Sequence, residues 1–468
     1  MHQGSRLTAL DQSFLQLEGQ VTHMHVGACA VFEGPAPAYT DLVATIESRL
    51  HLVPRYRQRL ATVPLGQGRP VWVDDPQFRL PFHVRHTALP RPGGDAQLRR
   101  LAGRIFSQAL DRGRPLWEMW LIEGLSDGRF ALLSKTHHAL VDGISGVDIA
   151  SVIFDSEPAA KPVRAPRPWA PRPLPSSAQL LADAMIERAT QPAEAVTTIG
   201  QLVRGPRSLL TRAGSAVAGL GALTWAGLDP APRSPFNVPI GPHRRFTWIE
   251  ASLDDFKDVK RAQHTTINDV ILTAVAGGLG RYMQRHDVAT DGLVLKALVP
   301  VSVRDPADHG VLGNRIAAMW APLPVGVGDP HERLRLITDA MTSVKRSGQA
   351  IGAQALTELA GFASPTLVAQ AARLQARQRL FNLVITNVPG PQQPLYLLGR
   401  RMQAIYPLVP LAANTALGIA VLSYDGRLNF GLNADYDALA DLELLASDLE
   451  AAITEIVQSL SSETASSI

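Results

Sequence analysis

The chain has 468 residues, 46% hydrophobic and 19% charged, with 45 Lys and Arg against 42 Asp and Glu for a net charge of +3. That much apolar material can bury a core spread over two domains or one large pseudo-repeated unit, and it excludes wholesale disorder. The near-balanced charge, with no basic stripe interleaved with aromatics, excludes a nucleic-acid reader. The single cysteine, Cys29, excludes a disulfide framework and a cysteine-rich metal site, and it fits a reducing compartment. The opening MHQGSRLTALDQSFLQLEG lacks the apolar core of a signal peptide. No run of about 18 residues is free of charges and turn formers, so no membrane-spanning helix is expected. The expectation is a cytoplasmic protein.

In chain order, Met24–Phe32 reads as a strand and Thr40–Leu50 as a helix with apolar residues at helical spacing. Leu98–Ala109 reads as a helix, Leu116–Ile122 and Phe130–Thr136 as strands, and Ile144–Phe154 as a helix. Residues 158–175 are proline-rich and basic, which predicts a semi-rigid extended connector. Ala178–Arg188 and Ala193–Leu228 read as helical, the latter interrupted by Pro206, and residues 230–243 return to turns. The second half opens with a strand at Phe246–Leu253. A helix follows over Ile267–Gln284 with Thr265 or Thr266 as its N-cap. Then come an apolar strand at Leu293–Val303, helices near 331–345 and 351–378, strands at Leu380–Thr386, Ala416–Tyr424 and Arg427–Ala434, and a closing helix at Asp441–Leu460. This divides the chain into an α/β unit at 1–157, a crossover linker at 158–243 and a second α/β unit at 244–468.

The chemistry concentrates in His137-His138-Ala139-Leu140-Val141-Asp142-Gly143, between a predicted strand and a predicted helix. Acyl transfer to a hydroxyl needs a base with a pKa near the operating pH, and histidine supplies it. Asp142 can brace the loop or pair with an arginine, and Gly143 allows close backbone approach. Zinc is disfavoured, because adjacent strand residues point to opposite faces and no His-Glu-x-x-His or cysteine cluster is present. The site is expected to hold no metal. A serine hydrolase is disfavoured by the lack of a Gly-x-Ser-x-Gly elbow. Gly278-Leu279-Gly280 and Gly219-Leu220-Gly221 lack the third glycine of a dinucleotide fingerprint and read as helix-packing glycines. Trp117, Phe14 and His25 read as core residues.

Together with Leu10-Asp11-x-x-Phe14, Met24-His25-Val26-Gly27, Leu110-Asp111-Arg112, Pro115-Leu116-Trp117-Glu118, Pro235-Phe236-Asn237, Thr266-Ile267-Asn268-Asp269-Val270, Pro300-Val301-Ser302-Val303-Arg304, Gly313-Asn314 and Asn387-Val388-Pro389-Gly390-Pro391, the His-His-x-x-x-Asp-Gly run resembles the bacterial wax ester synthase/diacylglycerol acyltransferase family, within the CoA-dependent acyltransferase superfamily. The resemblance implies two chloramphenicol-acetyltransferase-like halves around a central tunnel, acyl-CoA as co-substrate rather than a bound cofactor, and diacylglycerol or a fatty alcohol as acceptor. It implies His138 as general base, with His137 shaping the site and Asp142 pairing structurally with Arg304. Asn268 and Asp269 are candidates for substrate binding or for capping the helix they begin. Two other readings stay open: an acyltransferase of the same superfamily fed by a carrier protein, and a catalytically silent lipid-droplet-binding protein. Residues 208–228 carry one charge and one tryptophan, and are expected either to pack as a crossover helix or to lie at a lipid surface. The second choice implies peripheral attachment to the inner membrane or to lipid droplets. Acceptor preference and oligomeric state are not encoded in any motif.

Overall fold

A computed structural model describes residues 5–141, 152–159, 169–187, 230–302, 316–346 and 380–460. The expectations for Asp142, Gly143, Arg304, Gly313-Asn314, Gly219-Leu220-Gly221, the helices at 193–228 and 351–378, most of that at Ile144–Phe154 and the 208–228 segment fall outside these residues.

The chain opens with β1 (Ser5–Arg6), α1 (Ala9–Leu17), β2 (His25–Phe32) and α2 (Tyr39–Arg49). Next come β3 (Gln58–Ala61), β4 (Val71–Asp74), β5 (Val84–Ala88), α3 (Asp95–Phe106), β6 (Trp117–Glu123), β7 (Phe130–His137) and the one-turn α4 (His138–Val141). Residues 177–187 form α5 in the crossover. The remainder comprises β8 (Arg244–Ser252), α6 (Leu253–Ala262), α7 (Ile267–Arg285), β9 (Val294–Ser302), β10 (Ile316–Pro324) and α8 (Pro330–Arg346). It ends with β11 (Leu383–Val388), β12 (Tyr396–Leu397), β13 (Arg400–Leu408), β14 (Leu417–Tyr424), β15 (Arg427–Asp435) and α9 (Leu442–Leu460).

Two six-stranded sheets dominate the described residues, ordered β12-β13-β2-β7-β6-β5 and β10-β9-β11-β14-β15-β8. A small third sheet, β1-β4-β3, packs Val63, Val71 and Val73 against Leu180 and Ala184 of α5. One face of the first sheet buries Phe32, Phe130, Leu132 and Met119 with Leu42 and Ile46 of α2. Its other face packs Cys29, Val31 and Leu133 against Leu98, Ile105 and Phe106 of α3, and that layer also takes in Phe246 and Trp248 of β8. The second sheet buries its apolar side chains with α6, α7, α8 and α9. In α7, Gly278 and Gly280 pack as the sequence reading expects: a Cβ there would meet the Leu449 backbone at 2.8 Å and the Val325 carbonyl at 2.3 Å.

The periodicity reading passes over β13, as it does β3, β4, β5 and β10. Strand β13 lies late in the chain yet belongs to the first sheet, antiparallel to β2, with Met402 opposite Phe32 and Leu408 opposite Gly27. Among the described residues β12 pairs only with Arg400 and Arg401, so Pro407 stands on a side of β13 that no strand pairs with, the edge position at which proline is tolerated. Trp248 of β8 stacks on Tyr406 at 4.3 Å and the Arg99 guanidinium lies 4.6 Å over Trp248, so residues from both halves share one layer.

Candidate active site

The His137-His138 pair sits where β7 stops and α4 starts: the expected strand runs into the pair and His138 begins a helical turn, while the helix expected after the motif at Ile144–Phe154 lies mostly outside the described residues. The sheet ladder runs through the pair. His137 N–H donates to the Leu116 carbonyl at 2.9 Å and His138 N–H to the Met24 carbonyl at 2.8 Å. The two rings then part. His137 is fully buried and faces His25, its partner across the ladder, with ring centroids 6.1 Å apart. His138 is half-buried and lies on the Phe14 ring of α1, centroids 4.0 Å apart. Phe14 is therefore more than core: it is the surface on which the half-buried His138 rests. Gly27, two residues past His25, keeps β2 and β7 this close. A Cβ there would meet the Ser134 carbonyl at 2.2 Å and the Phe106 ring at 2.7 Å.

Ala139 N–H donates to His137 Nδ1 at 3.1 Å, so that nitrogen must carry a lone pair and the neutral ring holds its proton on Nε2. Nε2 lies 3.6 Å from Oε2 of Glu18, and His25 Nε2 lies 3.5 Å from Oε1 of the same carboxylate. Arg112 completes the cluster: its Nε donates to Glu18 Oε2 at 2.8 Å, and its Nη2 donates both to that oxygen and to the Leu15 carbonyl. Burial opposes ionisation of Glu18, but the imidazoles of His137 and His25 and the Arg112 guanidinium outweigh it and hold the carboxyl far below the usual range. Burial pushes His25 down to about 4 against the pull of Glu18, with the Lys135 ammonium adding to the depression. His23, stacked on His25, is lowered by burial and by Arg244. Glu18 carries no sequence signal of its own. It is one acidic residue before a glycine at a helix end, and only the fold brings it beneath the histidines.

The neighbouring motif residues are structural. Trp117 is buried as expected, donates to the Tyr56 carbonyl at 2.8 Å and stacks on His83. Lys135 is fully buried and donates to the Ile105 and Gln108 carbonyls, closing the C-terminal end of α3, with Glu118 3.4 Å away as counter-charge. Asn237 and Asn382 clasp the entry to β8 against β9 and β11: Asn382 Nδ2 donates to the Pro232 carbonyl at 2.8 Å, and Asn382 Oδ1 accepts from Lys296 N–H at 2.7 Å. Thr266 is the N-cap of α7, and Asp269, the third residue of the helix, completes a capping box with it. Asn268 stands half-buried in the first turn of α7. Among the described residues no hydrogen bond joins Asn268 or Asp269 to either histidine, and Asp142, Gly143 and Arg304 lie outside them.

A family model for the wax ester synthase/diacylglycerol acyltransferase catalytic domain matches residues 7–271, and one for the C-terminal domain of the same family matches 312–457. A Mycobacterium tuberculosis protein named as a probable diacylglycerol O-acyltransferase is 35% identical over 463 residues, covering 97% of this chain and 96% of its own length. A second so named from that organism is 34% identical, covering 96% and 98%. Among solved structures, the wax ester synthase/diacylglycerol acyltransferase of Marinobacter aquaeolei matches with a TM-score of 0.67 at 30% identity, covering 97% of this chain and 100% of that one. A starter condensation domain of rhizomide synthetase matches with a TM-score of 0.59 at 15% identity, covering 99% and 95%, a likeness of fold alone. The expectation of two chloramphenicol-acetyltransferase-like α/β halves thus holds, and the chain belongs to the wax ester synthase/diacylglycerol acyltransferase family.

Proposed function

We propose that this chain is an O-acyltransferase moving a long-chain acyl group from acyl-CoA to the hydroxyl of diacylglycerol, a fatty alcohol or both, with His138 as general base. Family membership and the names of the relatives support the reaction class. The observation that carries the residue assignment is the asymmetry of the histidine pair. His137 is sealed in, with Nδ1 and Nε2 turned to Ala139 and Glu18, whereas His138 is half exposed on a backbone locked into the sheet. Acyl-CoA and acceptor meet at His138 from opposite sides. His138 removes the hydroxyl proton as the oxygen attacks the thioester carbonyl. The tetrahedral oxyanion forms against preplaced donors, for which Asn268 at the positive end of α7 is the candidate. The carbon–sulfur bond then breaks, and the CoA thiolate takes the proton from His138. This reading draws on no metal or redox cofactor. Asp142, Gly143 and Arg304 enter it through the motif alone.

A water-insoluble acceptor must be met at a surface. Among the described residues no helix is long and apolar enough to cross a membrane. In this reading the chain attaches peripherally to the inner membrane or to lipid droplets through the basic connector and the 208–228 segment. The experiment supplies labelled palmitoyl-CoA with hexadecanol and diacylglycerol on anionic vesicles, at low and high salt, with acyl-carrier protein as the competing donor. His138→Ala is expected to lower CoA release by ~10²–10⁴-fold while leaving folding intact. Retention of more than about a tenth of the rate by that variant would refute the assignment. Salt-independent flotation would refute the surface contact.

A further inference from the structure

We infer that Glu18, clamped by Arg112, is the positioning residue of this site: its carboxylate holds His137 in one tautomer and so sets the backbone that presents His138. The inference rests on the reading of His138 as the base.

The sequence alone gives Glu18 no reason to be buried. It caps the C-terminal end of α1, donating its N–H to the Phe14 carbonyl, where the helix dipole disfavours a negative charge. A carboxylate with 8% of its side chain exposed is costly unless donors surround it. Here it meets three cationic or N–H-bearing side chains, from β2, from the β7–α4 junction and from the loop before β6. Arg112 comes from the Leu110-Asp111-Arg112 stretch. Asp111 shapes that turn by accepting from Gly113 N–H at 2.8 Å, and the guanidinium reaches across to Glu18 and to the last turn of α1. One helix therefore serves both histidines: Phe14 lies under His138 and Glu18, one turn later, under His137.

The consequence runs through proton placement. With the Glu18 anion 3.6 Å from Nε2, its field favours the neutral His137 ring keeping its proton there and leaving Nδ1 to accept from Ala139 N–H, which pins the first turn of α4. A proton on Nδ1 would oppose that N–H and release the turn on which His138 sits. The other charged or titratable groups facing the cluster are His23, His25, Lys135 and Arg244. Among the described residues none of these supplies a second anion.

The test uses the full chain and palmitoyl-CoA with hexadecanol. Glu18→Gln keeps the shape and removes the charge. It is expected to lower kcat by about 10–100-fold with little change in KM. It should also move the acid limb of the pH–rate profile to lower pH, because loss of the anion makes imidazolium less favourable nearby. Arg112→Gln should behave alike, and Arg112→Lys should recover part of the rate. A Glu18→Gln enzyme with wild-type kcat and an unmoved acid limb would overturn the inference, as would a rate loss that merely tracks the folded fraction. Should the variants fail to fold, ¹⁵N-histidine spectra of the wild-type chain decide: an Nε2–H tautomer at His137 supports the inference, and an Nδ1–H tautomer overturns it. Full activity in His138→Ala would instead sink the assignment of the base.

Discussion

Asp269 accepts three hydrogen bonds on one oxygen, from the Thr265 hydroxyl at 3.1 Å and from the Thr266 hydroxyl and N–H at 2.6 and 3.2 Å. The Thr265 hydroxyl in turn meets that of Thr338 on α8 at 2.9 Å, so the cap of α7 also ties two helices. Asp269→Ala is expected to destabilise the protein by ~0.5–2 kcal/mol, the usual worth of a cap, seen as a lower midpoint in urea. Unchanged stability with lost turnover would place Asp269 in the chemistry instead. The contrast with Glu18 shows what a motif can disclose. His137 and His138 stand out because a paired histidine followed by Asp142-Gly143 is rare and sits at a strand end. Thr266 and Asp269 are legible as a cap because the three-residue spacing is itself the physics. Glu18 is not legible, because its neighbours Arg112, His25 and His137 come from three separate segments and share no spacing with it.

The small sheet and the connector make one element between them. Asp74 of β4 accepts from Arg172 N–H, Nε and Nη2 at 3.0, 3.1 and 2.9 Å and from Gln58 Nε2 at 2.9 Å. Trp169 meets Phe78 edge-on and lies under the Arg57 guanidinium. Burial would raise the Asp74 carboxyl, but Arg172 and Gln58 outweigh it and hold it down to about 2. A folded value below the ordinary 3.8 means that this docking contributes fully above that pH and is lost as pH falls towards about 2. Protease cleavage in the connector is therefore expected to quicken over that acid range, and at neutral pH in Asp74→Asn; equal cleavage of wild type and variant would remove Asp74 as the anchor. The proline spacing predicts an extended stretch here, but its seat is not readable from the sequence, since Asp74 lies far upstream. Strands β7 and β14 are readable as largely apolar runs, and β15 is readable as a strand as well. By contrast β13 is not, since Arg400, Arg401 and Gln403 break the run and Pro407 argues against a strand, while the buried set Met402, Ala404, Tyr406 and Leu408 shows only as a period of two.

At the scale of the molecule, the halves are not separable bodies. The first sheet needs β13, the layer under it needs Phe246 and Trp248, and Tyr406 donates to Glu250 at 2.6 Å across the same seam. Arg244 N–H donates to the Ser107 hydroxyl at 2.8 Å, joining the start of β8 to the end of α3. A fragment of residues 1–243 is therefore expected to show no cooperative thermal transition, and co-expression with residues 244–468 to restore one. A sharp transition from the first fragment alone would show that the histidine-bearing half completes itself without the exchanged strand.

The pairing of β2 with β13 also sets a timetable for synthesis. Until Leu408 has left the ribosome, the β2 edge opposite β7 has no partner, and an open edge beside apolar Cys29 and Val31 invites pairing with other chains. The strand that carries His25 is thus made among the first and closed among the last. A nascent or truncated chain carries the histidine motif long before the sheet that supports it is finished.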